Sequence, residues 1–582
     1  MSNTRSDNLT WRHWVLALAV ALAFTTVLVR LYRVQVVDHL VYMEQAAVTR
    51  QGAVTLPATR GAVLDATGYP LATSIDTWNV YIDRLLWREH ERAGAAAVGL
   101  AAFFDLDAQD LLRDGTEEDT GDLLLRRDLP YEEGVRLREQ DLWGVRLAPS
   151  AVRLYPEGDL AGQLIGYVGR DGGGLWGVEA DFDHVLSGSD GWLTTERDAL
   201  GRPISFGDRL ERPATPGGEV QLTVDRFIQA IVEDALGEAL ERYDAQSGSI
   251  IVMDPQTGAV LAMASRPTVG LSSVDLNEPG LGDLVRNRAI TDLYEPGSTM
   301  KTLTTAMALD RGLVTPETTY DDTGAVSVGS YTIRNWDFSA RGITTMREFL
   351  QHSLNTGAVW LADQIGPQDF YDYVKAFGLG EPTHAGLAGE AEGAVRTPSD
   401  PDWYPVDLAT NSYGQGLAVT PLQMLTAINS LANEGELMRP YVVSRVTTED
   451  AVRTFEPVQV RQVVRPETAN TVLEMMHDVV DGMDHHGAQV PGYQVAGKTG
   501  TTLVSIPTGY DLDSTIASFA GFIPYEDPRV SVLVKIDQPS GGLNLGGQVA
   551  APIFADVAEE IMAYLRVPPT APQNSDPLVA QP

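Results

Sequence analysis

Cysteine is absent from the 582 residues, which excludes disulfides, thiolate metal sites and a cysteine nucleophile, and suits an exported chain that folds without covalent staples. Lysine is nearly absent as well. Of 42 basic residues only Lys301, Lys375, Lys498 and Lys535 are lysines, set against 79 acidic residues and a formal charge of −37. No basic run or stripe interrupts that acidity, so the chain cannot neutralise a phosphate backbone and nucleic acid is excluded as a partner. The acidity itself reports solubility rather than a particular ligand. Arginine stays charged under ordinary conditions, whereas a desolvated lysine amine can lose its proton and act as a base. The four lysines are therefore candidates for chemistry; a preference for arginine codons explains their scarcity but not their positions.

Long apolar runs are also scarce. Residues 14–29 (WVLALAVALAFTTVLV) form the one run suited to a membrane, flanked by Arg5 and Arg12 before it and by Arg30 and Arg33 after it. Leu31, Tyr32 and Val34 extend its apolar face, and the arginines can snorkel to the interfaces. Cleavage near Ala21-Leu22-Ala23 is the rival reading, but it would leave a strongly apolar remnant, so a retained anchor is expected. The flanking arginines balance and do not orient the segment. Residues 93–104 are a short Ala-rich stretch beside Arg92 and Glu91 and read as a buried helix of a soluble domain.

An apolar share of 44% over this length predicts two or three folded domains. Strand-like residues 77–82, a charged helical stretch at 131–140 and the Asp171-Gly172-Gly173-Gly174 loop make a mixed α+β region carrying no catalytic constellation. The turn-rich segment Arg212-Pro213-Ala214-Thr215-Pro216-Gly217-Gly218 marks the main boundary. Beyond it come a strand at 220–224, helical periodicity over 226–243, and a hairpin signal, SGSIIVM at 247–253 followed by Asp254-Pro255-Gln256-Thr257-Gly258 and AVLAMA. The expected organisation is a tail at 1–13, a transmembrane helix at 14–34, an α+β domain at 35–217, a second α+β domain at 218–566 that opens with an antiparallel hairpin, and a mobile tail at 567–582 rich in Pro, Ala and polar residues.

In Glu295-Pro296-Gly297-Ser298-Thr299-Met300-Lys301, Pro and Gly stop the preceding segment, and an amphipathic helix continues over 302–309. A spacing of three then puts the Lys301 amine on the face of the Ser298 hydroxyl, a nucleophile with its base. Ser353-Leu354-Asn355 follows a helical run at 345–351, and Lys498-Thr499-Gly500-Thr501-Thr502 follows a strand-like stretch. Each motif alone is common, and Ser and Asn are ordinary helix caps. The ordered set S-x-x-K, S-x-N, K-T-G, which takes two of four lysines, is specific to penicillin-binding proteins and class A β-lactamases.

The chain thereby resembles the class B penicillin-binding proteins, over nearly its whole length. Arg60-Gly61-Ala62-Val63-Leu64-Asp65 with Gly68 and Leu71-Ala72 resembles the opening of that family's pedestal, and Arg153-Leu154-Tyr155-Pro156-Glu157-Gly158 with Gly177-Val178-Glu179 its later motifs. Ser412-Tyr413-Gly414-Gln415-Gly416 and Gly546-Gly547-Gln548 fall where the family would place them. The resemblance implies a peptidoglycan D,D-transpeptidase, with 35–217 as its α+β pedestal and 218–566 as an α+β transpeptidase domain built on a central antiparallel sheet flanked by helices. Ser298 would attack the penultimate D-Ala carbonyl of a stem peptide, with Lys301 as base and backbone N–H groups of Ser298 and Thr501 as oxyanion hole. Lys498, Thr499, Gly500 and Thr501 would hold the substrate, its carboxylate going to Lys498 and Thr499. Ser353 would relay a proton to the leaving amine, and Asn355 would offer its amide to Lys301 and substrate.

It also implies β-lactams as covalent inhibitors, no cofactor or metal, and a catalytic domain outside the cytoplasmic membrane with the N-terminus inside. A division role is favoured over elongation. No acidic glycosyltransferase motif occurs between Leu31 and Gly217, which implies a separate multispanning glycan polymerase, with division proteins, as partner. A carboxypeptidase or β-lactamase of the same superfamily, or a non-catalytic β-lactam sensor or scaffold, are the rivals. Asp484-His485-His486, with His477 nearby, is not read as a metal site, because adjacent histidines on a loop point apart; it departs from the Gly-Thr-Ala-like sequence expected before the lysine motif. Lys535, in VLVKID at 532–537, is expected either to line the same sheet or to be an exposed strand lysine.

Overall fold

The computed structural model describes residues 7–39, 51–88, 90–117, 121–196, 209–482, 487–506, 509–540, 542 and 544–570. A helix spans Asp7–Tyr32, about 39 Å long at 1.5 Å per residue, enough to cross a hydrocarbon layer of roughly 30 Å. The stretch Trp11–Val37 has a mean hydropathy of 2.2 and is not buried against other described residues. Its polar side chains are accommodated locally: Thr25 and Thr26 each donate to the carbonyl four residues back, at 2.8 Å, which removes the cost of a bare hydroxyl in an apolar setting.

In the pedestal, the long strand Pro70–Asp83 pairs antiparallel with Asp122–Pro130 on one edge and Val145–Leu154 on the other. Helix His90–Phe104 lies over this sheet. Its Ala93, Ala96, Ala97 and Leu100 recur at helical spacing and are buried with Trp87, Val80 and Ile82, so the Ala-rich stretch is a core helix whose small side chains permit close packing. Elsewhere in the pedestal, the Glu179 carboxylate is fully buried between two arginines, with Arg60 Nε at 2.7 Å and Arg153 Nη2 at 2.6 Å. Arg153 also donates to the Gly61 carbonyl. The Arg60 and Gly177-Val178-Glu179 motifs, far apart in the chain, thus meet in one ion cluster.

Strands on both sides of residue 217 share a sheet. Val63–Leu64 pairs in parallel with Glu219–Leu222, which pairs antiparallel with Val443–Thr447. One apolar cluster, containing Val63, Leu71, Val220, Met263 and Met300, is continuous through the same region. The pedestal is therefore fused to the catalytic domain by backbone hydrogen bonds and a common core.

The catalytic domain is built on five antiparallel strands in the spatial order Val260–Arg266, Ser247–Met253, Val530–Asp537, Gly509–Ile523, Ala496–Ile506. Side chains alternate in destination. Ile251, Met253 and Leu533 join the core under the catalytic helices, while Ile250, Val252, Val532 and Val534 join a second core under helices Arg226–Tyr243 and Ala550–Tyr564. Coverage on both faces is why the central strands read as unbroken apolar runs. At the C-terminus, Tyr493 Oη donates to the Val567 carbonyl and Thr570 N to the Gly492 carbonyl, so the first residues of the expected tail are tied down, while 571–582 lie outside the described residues.

Replacing Glu179 by Ala leaves the buried Arg153 without a carboxylate and Arg60 with Asp183 alone, and breaking a buried pair in this way costs about 3–5 kcal/mol. Urea unfolding of the Glu179→Ala protein is expected to show an unfolding transition shifted to lower denaturant by that amount.

Candidate active site

The segment before the catalytic helix is pressed into place by glycines. Gly297 has φ +59° and donates its N–H to the Gly414 carbonyl at 2.9 Å, and a Cβ on Gly414 would lie 2.2 Å from the Gly297 carbonyl oxygen. Only two glycines permit this approach. Gly297–Thr299 makes one tight turn and Met300–Asp310 continues as a helix buried almost throughout. Its threonines, poor helix formers in isolation, are tolerated because each buried hydroxyl has a carbonyl partner: Thr302 on Thr299, Thr304 on Ser412 and Thr305 on Lys301.

Lys301 is fully buried. Its Nζ lies 3.1 Å from Ser298 Oγ and 3.1 Å from Ser353 Oγ, and closer to two carbonyl oxygens, 2.6 Å from the Ser353 backbone and 2.8 Å from Asn355 Oδ1. A neutral amine fits this cage well: two N–H bonds go to the carbonyls, which can only accept, and the lone pair is left for a hydroxyl, which can donate. Burial, and secondarily the nearby Lys498 charge, push Lys301 well below the usual lysine value. The arrangement can therefore take the Ser298 proton.

Helix Met346–His352 ends with Ser353 in the left-handed conformation, φ +56°. That turn aims the Ser353 carbonyl at Lys301, and the helix Asn355–Ile365 begins immediately after. Asn355 points its amide oxygen at Lys301 and donates one amide hydrogen to the Arg334 carbonyl at 2.8 Å, which leaves its second hydrogen for a ligand. The orienting role of Arg334 has no sequence signal, since any residue type supplies a carbonyl.

Lys498, Thr499, Gly500 and Thr501 occupy Ala496–Ile506, the edge of the five-stranded sheet next to the Ser298 turn. Lys498 is buried, and burial lowers it to about 7. A Cβ on Gly500 would meet Ser518 Oγ at 2.4 Å and the Pro296 carbonyl at 2.8 Å, so this glycine lets the strand touch the serine segment. Thr501 Oγ1 accepts from Gly546 N at 2.9 Å. The free edge offers backbone groups to an extended peptide.

Sequence reasoning missed Glu295. Its carboxylate accepts from Gly416 N at 3.0 Å and from Tyr510 Oη at 2.9 and 3.1 Å. Burial pushes its pKa up, and those hydrogen bonds hold the glycine loop and the start of Gly509–Ile523 against the serine turn. An acid just before Pro-Gly-Ser is the only signal that could have found it. Lys535 is not an exposed strand lysine: it is 2% exposed, paired with Asp537, and lies 5.5 Å from the Tyr294 ring centre. Lys375 is a surface residue paired with Glu381. His477 stacks on Tyr525 and its Nδ1 contacts the Val495 carbonyl, while Asp484, His485 and His486 lie outside the described residues.

Residues 248–559 match the family described as the penicillin binding protein transpeptidase domain, and residues 55–222 match the penicillin-binding protein dimerisation domain. The chain is 31% identical over 516 residues to stage V sporulation protein D of Bacillus subtilis, covering 88% of this chain and 79% of that protein. It is 30% identical over 575 residues to the peptidoglycan D,D-transpeptidase FtsI of Escherichia coli, covering 98% and 94%. Among solved structures, penicillin-binding protein 3 of Mycobacterium tuberculosis complexed with aztreonam superposes with a TM-score of 0.69 at 27% identity, covering 89% of this chain and 99% of that one.

A lowered Lys301 is neutral above its own pKa and gains a proton, losing basicity, as pH falls through it. The pH profile of kcat/KM for acylation by an activated thioester should therefore rise well below the ordinary lysine value of 10.5. Lys301→Arg, always protonated, should acylate about 10²–10⁴-fold more slowly at every pH.

Proposed function

The chain belongs to the class B penicillin-binding proteins, the serine-type peptidoglycan D,D-transpeptidases, and from that premise we propose that Ser298 is its nucleophile and Lys301 its base. The observation that carries this assignment is the buried Lys301 amine 3.1 Å from Ser298 Oγ. The donor stem peptide lies as an extended strand along Ala496–Ile506, its terminal carboxylate at Lys498 and Thr499. Ser298 Oγ attacks the penultimate D-Ala carbonyl as its proton passes to Lys301. Backbone N–H groups of Ser298 and Thr501 stabilise the oxyanion. As the intermediate collapses, the peptide C–N bond breaks, the leaving D-Ala amine takes a proton by way of Ser353, and an ester to Ser298 remains. An amine from a second stem then attacks this ester, forming the cross-link and returning a proton to Ser298.

β-Lactams enter the same path as strained amides that acylate Ser298, a reading supported by the aztreonam complex of the Mycobacterium tuberculosis neighbour. The exposed apolar helix supports a single-pass anchor; the N-terminal tail lies inside, and the pedestal and catalytic domain lie outside, where peptidoglycan is. The pedestal ends near residue 217, as expected from the sequence, and the catalytic domain runs on to residue 570, where Val567 and Thr570 are tied to it. The role is septal wall synthesis, supported by the pedestal motifs and by full-length similarity to FtsI. A multispanning glycan polymerase and division proteins are its membrane partners, a reading supported by the lack of acidic glycosyltransferase motifs between Leu31 and Gly217.

Exposure to a penicillin should add its mass to the tryptic peptide 289–301, which contains Ser298, and Ser298→Ala should abolish the adduct in mass spectrometry. With peptidoglycan precursors the protein should yield cross-linked dimers. Release of D-Ala without dimers would instead identify a carboxypeptidase.

A further inference from the structure

A rigid turn beside the Ser353 segment holds two large rings in solvent. It runs from Asn335 to Ser339 and is closed by Phe338 N donating to the Asn335 carbonyl at 3.1 Å. Its root is buried. Asn335 donates its amide to both Asp322 oxygens, at 2.9 and 3.0 Å, and to the Ser339 carbonyl. Asp322 accepts further bonds from Gly324 N, Arg341 N and Thr356 Oγ1. Burial opposes the Asp322 charge, but these donors outweigh it and hold the carboxyl below its usual value. Phe338 sits at φ +57°, a conformation that a bulky side chain adopts only where its surroundings impose it.

The rings gain little from this arrangement. Trp336 is 58% exposed and Phe338 79% exposed. The indole N–H of Trp336 donates to the His352 carbonyl at 3.1 Å, one residue before Ser353. Its polar edge is thus engaged and its orientation set, while apolar ring surface faces water. Isolated exposed apolar residues are ordinary. Two rings on a turn rooted by a buried polar network, and joined by hydrogen bonds to the segment that cages Lys301, have the character of a recognition surface.

The ligand follows from the substrate, and this step rests on the transpeptidase reading. A stem peptide hangs from an amino sugar of a glycan strand, so a stem in the groove brings hexosamine rings to the rim. The C–H face of a pyranose is apolar and stacks on aromatic rings. A chain of formal charge −37 disfavours anionic lipid as the occupant. We propose that Trp336 and Phe338 form a saccharide platform that stacks against the glycan strand bearing the stem peptide.

The test compares full-length wild type, Trp336→Ala and Phe338→Ser in three assays: penicillin acylation of Ser298, cross-linking of glycan-linked stems, and cross-linking of glycan-free stem peptides. Loss of one stacking contact should lower kcat/KM about tenfold on glycan-linked stems, with acylation and glycan-free turnover unchanged. Phe338, which makes no side-chain hydrogen bond, guards against an indirect effect of Trp336 through His352. Unchanged glycan-linked activity, an equal loss in all three assays, or a loss that appears only when a polymerase is added would overturn the platform. Wild-type protein that acylates but cross-links neither substrate would overturn the transpeptidase reading, and the platform with it.

Discussion

The proposed mechanism needs an uncharged Lys301 amine, which has to be kept out of water, and the burial of Lys301 is the constraint around which the catalytic domain is arranged. Burial alone would leave a polar group unsatisfied. The Ser353 and Asn355 carbonyl oxygens remove that cost without requiring a charge, because a neutral amine still has two hydrogens to donate. Lys498, close enough to be felt electrostatically, makes a second positive charge at Lys301 unfavourable. In the proposed mechanism the same Lys498 receives the substrate carboxylate, so that one cation would serve both base and binding site.

Bringing those groups together needs backbones in contact, which explains where the glycines lie. Gly297 against Gly414 and Gly500 against Pro296 allow three separate chain segments to approach more closely than any side chain permits. The sheet that carries Lys498 is held rigid by apolar cores on both faces, and Lys498 lies on one of its two edge strands. Hydrogen bonding of Glu219–Leu222 to both Val63–Leu64 and Val443–Thr447 makes the pedestal a continuation of this frame.

Buried ions elsewhere follow a different logic. The Glu179 cluster satisfies each charge with an opposite partner and so ties distant pedestal segments into one geometry, whereas Lys301 and Lys498 have no buried carboxylate of their own among the described residues. Lys535 belongs with the first kind, because Asp537 two residues on faces the same side of the strand and neutralises it. The contrast separates a lysine held by a carboxylate from lysines whose charged form burial opposes.

What the chain's order of residues determines is local and periodic. A spacing of three on a helix obliges Ser298 and Lys301 to share a face; Arg226–Tyr243 carries its helix in its hydrophobic period and Ser247–Met253 its strand in a short apolar run bounded by a turn; and an uncharged run near the N-terminus forms a helix long and apolar enough to cross a membrane. What only the tertiary structure decided is every contact whose partner has no side-chain signature or lies remote in the chain. The Arg334 carbonyl that turns Asn355, the left-handed Ser353 that offers its own carbonyl, the Glu295 carboxylate that meets Tyr510, and the burial of Lys535 all depend on which surfaces pack together. A strand's period says that neighbouring side chains face opposite ways, but not that both sides will be covered. The reason is physical: helix and strand formation obey near-neighbour sterics, whereas desolvation of a charge is set by atoms brought from anywhere in the fold.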